Sequence, residues 1–140
     1  MTKNEVIAIF DFFDGPRAGV AFFEKDLVYF ERVFDEKSDD YSDVFNLRIL
    51  PKATIEKINL FCSLWRSYLE ARTRSELDVS LTFEVQARDL SFEIKAISEM
   101  CSEFQATGRF VRNSRHPAPD PTSVSNLFVV WDATGGRDRQ

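Results

Sequence analysis

Histidine and cysteine, which supply most metal ligands and nucleophile–base pairs, are scarce in this sequence. The 140 residues include one histidine, His116, and two cysteines, Cys62 and Cys101. One imidazole and two thiols are too few for a zinc quartet or a disulfide framework. His116 lies in a proline-rich segment that would hold a general base poorly, and thiols on apolar helical stripes are usually inert. We therefore expect no metal, no cofactor and no Cys–His nucleophile.

The sequence also lacks an excess of positive charge and any long apolar run. The chain has 18 Lys and Arg against 23 Asp and Glu, a net charge of -5. Binding to nucleic acid requires a basic surface that neutralises phosphates, so no nucleic-acid partner is expected. No run approaches the roughly 20 apolar residues of a membrane span, and Asp11 interrupts the apolar segment 6–13 that would otherwise resemble a signal peptide. These absences predict a cytoplasmic protein that does not bind membranes.

The charge that is present is unevenly placed. Residues 1–104 hold 20 acidic and 13 basic side chains, whereas residues 105–140 hold three acidic and five basic ones. The negative charge of residues 1–104 favours a cationic or neutral partner. Arg109, Arg112 and Arg115 would alternate faces on a strand, so we expect them to pair with acids elsewhere, with an anion or RNA patch as the alternative.

Hydrophobic periodicity predicts an α+β protein. Segments rich in β-forming residues predict six strands, at residues 6–13, 18–24, 27–34, 44–50, 107–113 and 126–132. Short links join the first four, which predicts an antiparallel meander. Apolar stripes with helical spacing predict two helices, at residues 55–72 and about 86–104. The 14 phenylalanines would supply much of the core.

The remaining segments complete the predicted organisation. Apolar residues alternate between positions 79 and 85, so residues 76–86 would form either a short strand or an extended lead-in to the second helix. We expect one domain over residues 1–132, in which an antiparallel sheet of five or six strands carries two helices packed on one face. Residues 133–140 would form a flexible tail.

The segment DFFDGPRAGVAFFE, residues 11–24, contains two aspartates around a pair of phenylalanines. Successive side chains of a strand point to opposite faces, so Asp11 and Asp14 would share a site only if the chain bends before Asp14. Asp11 alternates with apolar residues, which predicts a half-buried carboxylate that needs a donor. An ion pair is expected from one of three arginines, Arg17, Arg32 or Arg48. A functional acid at Asp11 is the alternative.

Asp14 has a local interpretation. Pro16 lacks the backbone N–H that an aspartate before a turn usually accepts, and Arg17 is the next donor along the chain. The sequence DGPR therefore predicts a turn closed by an interaction between Asp14 and Arg17. A phosphate cradle is not supported, because no helix follows the glycine and no Walker lysine is present. The alternative functional site combines Asp11, Asp14 and Arg17 beside an aromatic pocket, as in a small enzyme or a ligand-binding protein.

The segment 35–43 is strongly acidic. It contains five acidic residues and one lysine, and its only large apolar side chain is Tyr41. It lacks the central glycine and closing glutamate of a calcium-binding EF-hand loop. It is either a solvated loop or a recognition surface for a basic partner, on which charges steer association and the aromatic ring supplies binding energy. The predicted binding residues are Asp35, Glu36, Asp39, Asp40, Tyr41 and Asp43.

Three stretches together carry a resemblance to a known group of sequences. They are DFFDGPRAG at 11–19, the acidic FDEKSDDYSDVF at 34–45 and the tryptophan-containing LFCSLWRSYLEA at 60–71. The chain resembles small bacterial proteins that carry Asp-aromatic-aromatic-Asp-Gly-Pro-Arg-x-Gly near the N-terminus. The resemblance covers residues 8–72, and a His-Pro-rich link typical of that group before the second helix is absent. It implies a shared fold and a bacterial origin and transfers no catalytic role.

Two functions follow from the sequence as hypotheses. The first is a non-enzymatic, immunity-like interaction protein that presents the acidic segment 35–43 to a basic protein partner. The second is the small enzyme or ligand-binding protein with the site Asp11, Asp14 and Arg17. With 23 acidic residues, a pair of catalytic carboxylates stays open as a variant of the second hypothesis. Self-association into a homo-oligomer is a further alternative.

Overall fold

A computed structural model describes residues 2–112 and 123–133. It contains six strands, a short 3-10 turn at Lys52–Thr54 and two helices. The strands are β1 (Asn4–Phe12), β2 (Pro16–Phe23), β3 (Asp26–Asp35), β4 (Asp40–Ile49), β5 (Glu103–Arg112) and β6 (Leu127–Ala133). The helices are α1 (Ile55–Thr73) and α2 (Leu77–Ser98). The predicted flexible tail, apart from the last residue of β6, lies outside the described residues.

The strands form an antiparallel meander that closes on itself. Each strand pairs with the next one along the chain, and β6 pairs with β1 through Asn4 opposite Val129 and Glu5 opposite Phe128. The predicted α+β class, with an antiparallel N-terminal meander, six strands and two helices, is confirmed. The sheet closes into a barrel, which the sequence did not predict.

The element boundaries correct two predictions near the second helix. This helix ends at Ser98 and not near residue 104, and Met100 is 89% exposed. Phe104, assigned to the helical stripe by its spacing, instead lies opposite Leu47 in the pairing of β4 with β5. The helix also begins earlier than predicted, because residues 77–85 are helical and form neither a strand nor an extended lead-in.

The start of α2 was predicted too late because of the residues on its buried face. Ser80 and Ala87 are buried at helical spacing, ahead of the larger buried residues Leu90 and Ile94. Because small and polar residues occupy the buried positions of the first turns, the exposed apolar residues at 79, 81 and 85 dominated the hydropathy pattern. No side-chain cap marks the start of this helix.

The chain divides into two compact units. One contains residues 51–100, in which α1 and α2 pack against each other and an ion pair joins Lys57 Nζ to Glu93 Oε1 at 3.1 Å. The other contains residues 1–50 and 101–140 and forms the barrel. In the part of the chain that is described, no helix has both the length and the apolar character needed to cross a membrane.

Aromatic rings fill the interior of the barrel. The ring of Phe45, which is fully buried, lies 5.8 Å from the centre of Phe30, 5.7 Å from Phe110 and 5.5 Å from Trp131. Gly108 leaves room for the indole, because a Cβ atom there would lie 2.5 Å from the Trp131 ring. Gly19 does the same for Phe30, since its Cβ would lie 2.8 Å from that ring. The interior is therefore a packed core.

Candidate binding site at one end of the barrel

The topology gathers the predicted site residues at one end of the barrel. In an antiparallel meander, alternate turns lie at the same end, so the β1–β2 turn at residues 13–15 and the β3–β4 turn at residues 36–39 are neighbours. We call this the hairpin end. It includes the start of β2 and β4 and the last residues of β3 and β5.

The β1–β2 turn is not closed by the predicted interaction between Asp14 and Arg17. The backbone N–H of Phe13 donates to the carbonyl oxygen of Gly15 at 3.0 Å, which closes the turn. Asp14 has φ 56° and Gly15 has φ 119°, both in the left-handed region where a short polar residue or glycine is favoured. Among the described residues no ion pair links Asp14 to Arg17. The prediction of such an interaction is wrong because the Arg17 side chain packs against aromatic rings.

Arg17 lies between two aromatic side chains. Its guanidinium carbon is 4.4 Å from the centre of the Phe13 ring and 4.0 Å from the centre of the Tyr41 ring. Both distances are within the range of a cation–π interaction. The Arg17 Nε atom is buried and has no hydrogen-bond partner in the described ranges, so ring contacts are the main compensation for its desolvation.

Asp11 is exposed, which corrects the prediction that it is half buried. It lies opposite Ala18 in the pairing of β1 with β2, and register shifts on both sides of it show that β1 is irregular there. Opposed residues share a face of the sheet and adjacent residues do not, so Asp11 and Arg17 lie on opposite faces. The described part of the chain contains no ion pair or hydrogen bond to the Asp11 carboxylate. The three residues Asp11, Asp14 and Arg17 are therefore not brought together.

The acidic segment is a strand hairpin with a short tip, not a continuous loop. β3 runs to Asp35 and β4 begins at Asp40. The Asp35 carboxylate accepts the backbone N–H of Lys37 at 3.0 Å, and the Asp40 carboxylate accepts that of Tyr41 at 2.7 Å. Asp39 occupies a left-handed conformation with φ 54°. These bonds order the tip and keep the carboxylates at the surface. The exposed acidic side chains are Glu36, Asp39, Asp40 and Asp43, and Asp35 is half buried.

A bulge in β4 sets the position of Asp43. Arg32 lies opposite Phe45 and Phe34 lies opposite Tyr41, so four residues of β4 span two residues of β3. The hydroxyl of Ser42 donates to the carbonyl oxygen of Val33 at 3.0 Å and accepts the backbone N–H of Val44 at 3.1 Å. The side chain thus replaces ladder hydrogen bonds that the bulge interrupts.

Exposed aromatic rings lie directly beside the acidic tip. Tyr41 contacts Phe34 edge-to-face, with ring centres 5.2 Å apart at 79°. Tyr41 is 37% exposed, Phe34 43% and Phe13 66%. Together with Arg17 they form a connected group that we call the aromatic–arginine cluster, consisting of Phe13, Arg17, Phe34 and Tyr41. Aromatic and arginine side chains with this degree of exposure are those most enriched at the centres of protein interfaces.

Arg32 lies deeper, at the top of the packed core. Its guanidinium carbon is 4.7 Å from the centre of Phe45, Nε donates to the carbonyl oxygen of Pro16 at 3.2 Å, and Nη1 donates to that of Ser42 at 3.2 Å. Burial lowers the pKa of Arg32, with the nearby positive charge of Arg17 acting in the same direction. The carboxylate of Asp43 acts in the opposite direction from 3.9 Å.

A cavity of about 280 Å³ opens beside Arg32. Its lining comes from four strands and the β1–β2 turn, namely Gly15, Pro16, Arg32, Asp43, Gly108, Arg109 and Phe110. Sequence reasoning did not single out Arg32 as a site residue. The signal was present, because Arg32 alternates with Val28 and Phe30 and therefore lies on the core-facing side of β3.

Neither cysteine is among the residues that form the hairpin end. Neither cysteine forms a disulfide in the described part of the chain, and both are half buried. Burial raises the pKa of Cys62, whose position on α1 agrees with the prediction. Cys101 follows α2 and does not lie on its apolar stripe as predicted. His116 and Arg115 fall outside the described residues. Within residues 2–112 and 123–133, no three His, Cys, Asp or Glu side chains are arranged to hold a metal ion.

Comparison with known proteins gives no relative. No protein-family model, no curated protein and no solved structure matches this chain. Inference about function therefore depends on the geometry of the hairpin end.

Proposed function

We propose that this protein is a non-enzymatic interaction protein that presents the hairpin end of its barrel to a basic protein partner. The observation that supports this most is the adjacency of two features on β4, where Tyr41 of the aromatic–arginine cluster follows directly after the acidic tip. Exposed aromatic and arginine side chains bordered by polar groups are typical of a binding surface.

The acidic tip would act mainly on the rate of association. Exposed carboxylates attract a cationic surface over distances comparable to the Debye length, about 8 Å at physiological ionic strength. Their contribution to affinity after docking is smaller, because exposed ion pairs are worth about 0–1 kcal/mol each. Glu36, Asp39 and Asp40 are well placed for this role, since they are exposed and lie at the tip.

The aromatic–arginine cluster would supply the binding energy. Burial of the exposed parts of Phe13, Phe34 and Tyr41 under a partner removes apolar area from water, at roughly 25 cal/mol per Å². Arg17 holds two of these rings in place before binding, which reduces the conformational entropy lost on association. A partner that covers this end needs an apolar patch bordered by Lys or Arg. Neutralisation of a basic toxin or effector, the immunity-like role, is one activity that such binding would serve.

Self-association through the same surface is less favourable. A two-fold symmetric dimer places each patch against its own copy. The acidic tip of one protomer would then lie near the acidic tip of the other, and like charges that face each other destabilise an interface. A partner of opposite charge avoids this cost.

The proposal is tested with charge-neutralised variants at the tip. Asp39→Asn with Asp40→Asn removes two charges and retains an amide oxygen that can accept the Tyr41 N–H. Asp89→Asn with Glu99→Gln removes two charges from exposed positions of the helical unit and serves as the matched control. Partners are captured from the native host with the wild-type protein, identified by mass spectrometry, and the association rate of the most enriched one is measured at several salt concentrations.

The expected partner is basic, and its association rate at low salt falls about threefold to tenfold for the tip variant and little for the control. The salt dependence of the rate also becomes weaker for the tip variant. An enriched partner without a basic surface, or equal rates for the two variants, would contradict the proposal.

A further inference from the structure

The cavity beside Arg32 has a feature that neither the acidic tip nor the aromatic–arginine cluster explains. Arg32 is held in one orientation by hydrogen bonds from Nε and Nη1 and by its contact with the Phe45 ring. The remaining nitrogen, Nη2, makes no hydrogen bond within the described residues. It lies 3.7 Å from the position that a Cβ atom of Gly15 would occupy, and Gly15 lines the cavity.

The closest acidic partner of Arg32 holds it only weakly. The Arg32 side chain is 17% exposed, and its closest carboxylate, that of Asp43, lies 3.9 Å from Nη1. That distance is too long for a hydrogen bond, and the Asp43 side chain is 87% exposed, so solvent screens the pair. Asp14 and Asp40 add negative charge from farther away, and neither forms an ion pair with Arg32. A mostly buried arginine side chain whose Nη2 meets no carboxylate can therefore bind an anion from outside.

We propose that this cavity binds a small carboxylic acid, with Arg32 donating to the carboxylate from Nη2. The proposal does not rest on the protein partner proposed above. Arg32 is preorganised because Nε and one N–H of Nη1 are already hydrogen-bonded, and the two N–H groups of Nη2 remain to meet a carboxylate. Arg109 also lines the cavity, and its side chain is exposed.

The walls of the cavity indicate the rest of the ligand. Phe110 lines one side, and Gly15 has no side chain that would project toward Nη2 of Arg32. The volume of about 280 Å³ corresponds to roughly nine water molecules at liquid density. The ligand is therefore a small acid with an apolar body that contacts Phe110, and benzoate is a suitable probe.

The test compares benzoate with benzamide, a neutral molecule of the same shape. The full chain is titrated with each compound at constant ionic strength, and binding is followed by the shift in thermal unfolding midpoint and by NMR shifts of residues 15, 108 and 110. Benzoate should raise the midpoint and move these signals in a saturable way, and benzamide should not. Acetate, without the ring, should bind more weakly than benzoate.

Two variants make the test specific to Arg32. Arg32→Gln should weaken benzoate binding by about tenfold or more, because the charged donor is lost. Asp43→Asn removes the competing carboxylate from an exposed position and should strengthen benzoate binding by about threefold. Asp43→Asn keeps the test valid even if Arg32→Gln misfolds, because a gain in affinity for benzoate cannot come from damage to the fold.

Absence of saturable benzoate binding in both the wild-type protein and Asp43→Asn would overturn the proposal. Equal binding of benzoate and benzamide would overturn it as well. So would a folded Arg32→Gln variant that still binds benzoate, if Asp43→Asn also leaves the affinity for benzoate unchanged.

Discussion

The guanidinium of Arg17 lies 4.0 Å from the centre of the Tyr41 ring, although the two residues belong to strands that do not pair. β3 separates β2 from β4 in the barrel, so this contact spans the hairpin end and does not join two hydrogen-bonded neighbouring strands. It joins the β1–β2 turn to the β3–β4 hairpin, and these are the two segments that form the proposed binding surface. This cation–π contact and the hydrogen bonds from Arg32 to the carbonyl oxygens of Pro16 and Ser42 therefore fix the geometry of that surface.

Replacing Tyr41 tests this dependence. Tyr41→Ala should lower the free energy of unfolding by about 0.5–1 kcal/mol, because it removes the ring from Arg17 and Phe34. Tyr41→Phe keeps the ring and should remain close to the wild-type protein. Urea unfolding measures both variants. Equal destabilisation by Ala and Phe would show that the hydroxyl group, and not the ring, carries the interaction.

Gly108→Ala should destabilise the barrel. The added Cβ would lie 2.5 Å and 2.8 Å from two atoms of the Trp131 ring, so the indole or the strand must shift. Overpacking of this kind typically costs 1–3 kcal/mol. Arg109→Ala, on the neighbouring exposed position, is the control and should stay within about 0.5 kcal/mol. Trp131 fluorescence in a Trp65→Phe background reports on the barrel, and an unchanged midpoint for Gly108→Ala would refute the packing described here.

Phe45→Ala should have a larger effect. Its ring is fully buried and contacts Phe30, Phe110, Trp131 and the guanidinium of Arg32. Loss of a buried phenylalanine costs about 3–5 kcal/mol, so the variant should be largely unfolded or unfold at much lower denaturant concentration.

Phe92→Ala is the matched control for Phe45→Ala. Phe92 is 60% exposed on α2, and its truncation should change the free energy of unfolding by less than about 0.5 kcal/mol. Circular dichroism and urea titration measure the two variants together. A smaller loss for Phe45→Ala than for Phe92→Ala would be inconsistent with a core centred on Phe45.

Cys62 should react slowly with alkylating reagents at neutral and mildly alkaline pH. Burial raises the pKa of its thiol above the ordinary value of 9.0, and Arg66 offsets this only in part. The midpoint of the pH–rate profile for iodoacetamide, measured in a Cys101→Ser background, should therefore lie above that of the urea-unfolded protein. A midpoint at or below the unfolded value would contradict the burial of Cys62.

The same shift has a consequence for stability, with a definite sign. The folded protein holds the Cys62 proton more tightly than the unfolded chain does. The associated stability is fully present below pH 9.0 and is lost as the pH rises through the higher pKa of the folded state.

The sequence predicted those elements whose signals are local. Alternation over residues 44–50 and the helical stripe over residues 55–72 placed β4 and α1 close to their observed positions. The start of α2 was missed because Ser80 and Ala87 occupy its buried face, so the hydropathy pattern followed exposed residues. Closure of the barrel was missed because the pairing of Asn4 with Val129 joins residues 125 positions apart and leaves no local pattern.

The candidate site was predicted in part for the same reason. The acidic tip and Tyr41 are adjacent in sequence and were identified. The partners of Tyr41 come from β2 and β3, and Arg17 follows an irregular turn in which the non-glycine residue Asp14 is left-handed as well as Gly15. Side chains from three strands meet only after the barrel has closed, so no spacing within the sequence reveals their contact.

Closure of the barrel also limits how another molecule can recognise it. In the strands described, every one has a hydrogen-bonded neighbour on both sides, so outside the short pairing of β1 with β6 the strand edges are already occupied within the barrel. Recognition of the barrel must then depend on side chains at its ends and on its outer surface. Such a surface can acquire a new specificity through single substitutions at exposed positions, while the backbone hydrogen bonds that maintain the fold remain unchanged.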